Sequence, residues 1–150
     1  MQLPFGEYQF NYQEQAGKKL IFDIIRKKYI ALTAEEWVRQ HILHFMIEAL
    51  EYPKGLIAVE MGLRVNDLFK RADIVIHNNS GQPLMLVECK APEIKLAQHI
   101  FDQAARYNLA LQVPFLVISN GSDTICSRIS FNDNSFEIMD HFPPYEQLVV

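Results

Sequence analysis

Residues 72–77 and 84–90 are two apolar runs joined by Asn78-Asn79-Ser80-Gly81, and no other feature narrows the fold as far. Asn and Gly supply the backbone that a tight reversal needs, so the two runs form a hairpin of neighbouring antiparallel strands. Residues 57–65 read as a further strand just before them. Residues 115–119, 125–130 and 136–139 read as three more, the first opened by Pro114 and closed by Asn120-Gly121.

Two helices interrupt the strands. Thr33-Ala34-Glu35-Glu36 has the spacing of a capping box and opens a helix that runs to about residue 50. Val38, Ile42, Phe45, Met46 and Ala49 recur at helical spacing and give it one buried face. A second helix covers residues 94–111, with Leu96, Ile100, Ala104, Tyr107 and Leu111 as its apolar stripe. Residues 1–19 read as an irregular or edge-strand lead-in rich in aromatics. Residues 20–30, which mix β-branched and basic side chains, fit neither helix nor strand clearly. The order implies an α/β or α+β domain with a mixed central sheet.

Composition limits what such a domain does. At 150 residues, 49% hydrophobic and 21% charged, the chain is expected to fold as one compact domain, without room for a motor or helicase. A formal charge of -4 argues against broad coating of nucleic acid but leaves room for a local basic patch. Cys89 and Cys126 lack metal-ligand spacing and are too few for a disulfide scaffold, so a reducing, cytoplasmic setting is expected. No apolar run is long enough to span a membrane, and the first residues do not resemble a signal peptide.

The chemistry concentrates at one end of the hairpin. Strand side chains alternate, so Glu88 and Lys90 project to one face and Cys89 to the other. A turn centred on residues 79–82 brings Asp73 within a few positions of Glu88 across the pair. Charges at the end of a buried strand cost desolvation energy. Taken alone, Glu-x-Lys is most often a surface pair, but Asp73 opposite it makes a site as credible as a coincidence. Two carboxylates suit a hard divalent ion such as Mg²⁺, and a nearby lysine stabilises charge growing on a phosphate.

The helices add candidates. On a wheel of about 100° per residue, Glu35 lies about 40° from the centre of the first helix's core face and Glu36 about 140° away. Glu35 is thus expected to turn inward and Glu36 to cap on the solvent side. Gln103 sits within the second helix's apolar stripe, one turn before Tyr107, where it would orient a water, a carboxylate or a phosphate. Lys70, Arg71, Lys95 and Arg106 are candidate phosphate contacts, although each is more often solvated surface. His41 and His44 lack a third ligand, which disfavours zinc.

These residues resemble the PD-(D/E)xK nuclease superfamily and, more narrowly, the N-terminal nuclease domain of type I restriction enzyme R (HsdR) subunits. The stretches that carry the likeness are residues 26–40, 70–76, Val87-Glu88-Cys89-Lys90-Ala91-Pro92, residues 102–108 and Ser119-Asn120-Gly121. Ala72 stands where the superfamily's name has Pro. The resemblance implies a restriction-endonuclease-like α/β fold, a mixed central β-sheet flanked by helices, and DNA cleavage that depends on Mg²⁺, with Mn²⁺ able to substitute. It implies Asp73 and Glu88 as metal ligands, Lys90 as the catalytic lysine, Glu35 as the first-helix acid, and Gln103 with Tyr107 as a supporting pair. DNA affinity is expected to be weak, so a homodimer or a partner protein would help targeting. The rival expectation is a non-catalytic docking or dimerisation module; RNA or branched DNA is a further alternative substrate.

Overall fold

The computed structural model describes residues 3–149; the first two residues of the expected lead-in and Val150 lie outside it. Strands β1 (Tyr12–Gln15), β2 (Lys18–Asp23) and β3 (Lys28–Ala31) form a three-stranded antiparallel meander. Helix α1 (Ala34–His44) follows, and a π-helical turn (Phe45–Ala49) extends it. Strands β4 (Ile57–Val65), β5 (Leu68–His77) and β6 (Pro83–Cys89) lead to helix α2 (Gln98–Leu111). Strands β7 (Phe115–Ser119), β8 (Thr124–Ser130) and β9 (Ser135–Met139) precede a short helix, α3 (Tyr145–Leu148).

The main sheet has six strands in sequence order, β4-β5-β6-β7-β8-β9. Every pair is antiparallel except β6 and β7, whose parallel pairing α2 makes possible by crossing over one face. The α1 face buries Val38, Ile42, Leu43 and Met46 against Ile74, Ile76, Met85, Val87 and Val117. The α2 face buries Ala104 and Ala105 against Val75, Leu86, Leu116 and Ile118. The sheet is therefore covered on both sides, which is why its central strands are apolar at consecutive positions. Among the described residues no helix is long and apolar enough to cross a membrane.

Three expectations change. Glu36 is buried, not solvent-facing, because the wheel assumed one covered face and the meander covers a second. Ala49 is exposed: the π turn, closed by the Leu50 N–H to the Phe45 carbonyl at 3.1 Å, rotates the helix end away from its earlier face. Residues 94–97 do not join α2, which begins at Gln98. The lead-in is in part an edge strand, as expected, since β1 borders the meander.

One irregularity positions the site. Val59 packs on the α1 face, whereas Met61 and Leu63 pack on the α2 face, although positions two apart normally share a face. Between them Glu60 adopts φ +57°, a left-handed conformation unusual for a non-glycine residue in a strand. Across the ladder Ile74 and Ala72 split between the faces in the same way. Pairing is regular at Val59 with Ile74 and at Met61 with Ala72, with a gap at Glu60 and Asp73. Both strands therefore change face at Asp73.

Candidate active site

The hairpin places Ile74 opposite Val87, which brings Asp73, midway along β5, beside Glu88. Asp73 Oδ2 accepts the backbone N–H of Cys89 at 2.7 Å, so the carboxylate is fixed against the neighbouring strand. Arg39 on α1 donates to the Asp73 carbonyl at 3.3 Å, and its guanidinium stands 4.0 Å from Oδ1. Burial pushes the Asp73 carboxyl above its usual range, although the Cys89 N–H and Arg39 oppose the rise.

Glu88 is 7% exposed and faces a hollow of about 100 Å³ that Lys70, Lys90, Gln103 and Tyr107 help to line. Its Oε1 lies 3.3 Å from Lys70 Nζ, and the same ammonium stands 5.1 Å over the Tyr107 ring. Burial, then the charge of Asp73, raises the Glu88 carboxyl; Lys70 and Lys90 pull it back. A buried carboxylate raised by its neighbour's charge is a ready place for a cation. Cys89, pointing to the opposite face as expected, is buried among apolar side chains.

Lys90 lies just past β6, its backbone N–H bound to the Ser119 carbonyl at 2.8 Å. Asn120 holds the segment that follows: its side-chain amide donates to the Ile94 carbonyl at 2.8 Å, while its oxygen accepts from Ser122 and Asp123. Gly121 sits at φ +92° so close to Leu3 and Val38 that a side chain would collide with them. The Asn120-Gly121 turn thus fixes the loop that carries Lys90 away from the sheet.

The candidate residues are brought together unequally. Glu88, Lys90, Gln103 and Tyr107 line one hollow on the α2 side of the bend, with Gln103 exposed at its mouth, not turned inward. Asp73 does not line that hollow; it meets the group at the bend itself, through the Cys89 N–H and the charge it sets beside Glu88. Glu35 is exposed, yet its carboxyl is raised by burial of part of the side chain and by Asp73, with Arg39 and Lys90 opposing. It therefore stands within the electrostatic reach of the same site. Glu60 and Arg39 belong to the same group although no sequence motif singles them out. Glu60 binds Arg39 at 2.6 Å and Arg71 at 2.9 Å. Burial alone would raise its carboxyl, but the Arg39 hydrogen bond and charge hold it below the usual range. The signal that could have found Arg39 is a cation on a helix face otherwise covered by sheet.

A fit to a divalent ion rests on this donor set. Among the described residues no three His, Cys, Asp or Glu side chains converge as a preformed metal cage. Asp73 and Glu88 would supply two carboxylates and leave other positions to water and phosphate, as Mg²⁺ sites commonly do.

The six-stranded mixed sheet flanked by helices is a restriction-endonuclease-like fold. Residues 34–143 match the family described as Type I restriction enzyme R protein N terminus (HSDR_N), and the chain belongs to that family. The fold is similar to a fragment of a putative HsdR subunit of a type I restriction enzyme from Vibrio vulnificus YJ016, with a TM-score of 0.54 and 16% sequence identity. That likeness covers 80% of this chain and 25% of the other. No curated protein matches the chain.

Proposed function

We propose that this chain is a metal-dependent nuclease module of the cytoplasm that hydrolyses DNA phosphodiesters. The observation that carries the reading is the buried Glu88 carboxylate, flanked by two lysines and set beside the half-buried Asp73 where the strands change face. Asp73 and Glu88 would hold Mg²⁺, or Mn²⁺ in its place. A bound ion of this kind polarises the phosphate and lowers the pKa of water.

The chain's own residues divide the remaining work. The Cys89 N–H keeps one oxygen of Asp73 in place and leaves the other to face the site. Lys90 would hold a phosphate oxygen and stabilise the negative charge that grows as water adds to phosphorus and an ester oxygen leaves. Lys70 neutralises Glu88 in the free protein and would meet the substrate's charge beside Lys90. Gln103 and Tyr107, at the rim of the hollow, would orient the phosphate or the attacking water.

Plasmid cleavage with Mg²⁺ or Mn²⁺ tests the assignment, with wild type compared against Asp73→Ala and Lys90→Ala. Cleavage is expected to need the ion and to vanish in both variants; metal-dependent activity surviving in both overturns it. The rival docking module is separated by calorimetric titration, since it should bind no ion at Asp73 and Glu88. Its aromatic lead-in is largely spent inside the fold, with Phe10 packed 4.8 Å from the His41 ring and 5.5 Å from Trp37.

A further inference from the structure

The chain's acidity is unevenly spread. Residues 12–31 hold five of the fourteen Lys and Arg but only two of the eighteen Asp and Glu, a local charge of +3 in a chain of -4. Asp23 and Arg26 of this stretch are spent on each other inside the fold. That leaves Lys18, Lys19, Lys27 and Lys28, all exposed. Among the described residues none of the four joins an ion pair.

Their placement follows from the meander. Lys18 and Lys19 open β2 and project to its two faces from the strand's end, so both border the meander's rim, whereas Lys27 and Lys28 lie beyond its other end, at the turn into β3. A six-residue strand separates the two pairs by about 17 Å. That distance crosses a major groove about 12 Å wide, from one phosphate row to the next. Tyr12, 41% exposed, presents an aromatic face on the same sheet, with Lys19 Nζ 4.5 Å over its ring.

From Lys19 the patch extends toward the candidate active site. A hollow of about 530 Å³ runs from Lys19 past Thr33, Ala34 and Trp37 to Pro92 and Glu93. It joins the meander to the start of α1, which carries Glu35, and to the loop that follows Lys90.

We propose that Lys18, Lys19, Lys27, Lys28 and Tyr12 form the surface that takes the phosphate backbone of double-stranded DNA and leads it to Asp73, Glu88 and Lys90. The proposal rests on the nuclease reading for its destination but not for its binding. It explains how a chain of net charge -4 engages a polyanion: the lysines concentrate where the acids are few.

The test is fluorescence anisotropy of a labelled DNA duplex in EDTA, where cleavage cannot intervene, over a series of salt concentrations. The variant carries Lys18→Gln, Lys19→Gln, Lys27→Gln and Lys28→Gln together; a Lys54→Gln/Arg128→Gln variant is the charge control. Each phosphate contact contributes about 0.9 to the slope of log affinity against log salt, so the fourfold variant should lose about 3.6 in slope and at least tenfold in affinity. The control should stay within about twofold of wild type. Equal losses in the two variants, or an unchanged fourfold variant, overturn the proposal. So does capture by anionic lipid vesicles with no duplex binding by the wild type. The nuclease reading fails separately: duplex binding that needs the four lysines, without any cleavage dependent on Asp73 or Lys90, sinks the reading and leaves the surface standing.

Discussion

Two charged clusters lie on either side of Arg39, and they are built from the same residue types to opposite ends. On the meander side Asp23 is fully buried, accepting from the Ile25 and Arg26 backbone at 2.8 Å each, from Arg26 Nε at 2.8 Å and from Gln40 at 3.0 Å. Burial would raise its carboxyl, but the hydrogen bonds of Arg26 and Ile25 hold it below the ordinary range. On the other side Asp73 and Glu88 are raised. The Asp23 carboxylate is satisfied by four donors of its own fold; Asp73 and Glu88 are met by fewer. That shortage is what marks a site from a structural knot.

Removing charge from the unsatisfied cluster should separate activity from stability most sharply. Glu88→Gln is expected to lower metal-dependent cleavage by about 10³-fold, the scale of losing a charge-stabilising group. In EDTA the same variant should be more stable by about 1 kcal/mol, because an unfavourable buried charge is gone. Differential scanning calorimetry should then show Tm raised by about 3 °C. A variant that loses both activity and stability would place Glu88 in the structural class.

The satisfied cluster should respond in the opposite sense. Asp23→Ala leaves buried donors without an acceptor and should cost about 3 kcal/mol, lowering Tm by about 9 °C. Cleavage per folded molecule, measured well below that Tm, should stay within about threefold of wild type.

How far the sequence disclosed this contrast depends on how local each signal is. The Asp73–Glu88 hairpin was legible because a four-residue turn and strand alternation fix it within 20 residues. The exchange of roles between Glu35 and Glu36 was not, since it depends on a meander folding over α1 from 10 residues upstream. There the Thr33 side chain does accept the Glu36 N–H at 3.0 Å, as a capping box requires. The Glu36 carboxylate, however, turns to Arg26, Arg39 and Gln40. Glu60 was invisible for a different reason: a left-handed residue inside a strand is imposed by its neighbours across the sheet, and no local pattern announces it. Placement is therefore legible from sequence where neighbouring strands fix it and not where three elements share it.

Arg39 is what they share, binding Glu36 at 3.2 Å and Glu60 at 2.6 Å while facing Asp73. Arg39→Met should fall between the two clusters, costing about 2 kcal/mol in stability and about 10²-fold in cleavage. A separate loss of only one of these would assign Arg39 to one side.

The pH dependence of stability sharpens the comparison further. A raised folded pKa means that the native state holds more protons than the unfolded chain between the ordinary and the raised value. Stability due to Asp73 and Glu88 is thus fully present below the ordinary carboxylate range and lost as pH rises through their raised values. Asp23 behaves in reverse, its contribution present above the ordinary range and lost as pH falls through its lowered value. Tm in EDTA should therefore decline as pH rises above the ordinary carboxylate range, and Glu88→Gln should flatten that decline. A wild-type Tm that rises over this interval would contradict the raised carboxyls.

Glu35 tests where the unsatisfied cluster ends. It is exposed, so solvent screens it, and yet burial of part of its side chain and the Asp73 charge raise its carboxyl while Lys90 lowers it. A residue that touches the site only through its field should matter less than one that faces it. Glu35→Gln is expected to reduce cleavage by about tenfold with Tm unchanged, and Glu35→Asp should recover part of the loss. The diagnostic is metal dependence: if Glu35 acts on the site's charge, the concentration of Mg²⁺ giving half-maximal cleavage should rise in Glu35→Gln. If cleavage falls with that concentration unchanged, Glu35 acts on DNA or water directly and stands inside the site, not at its edge.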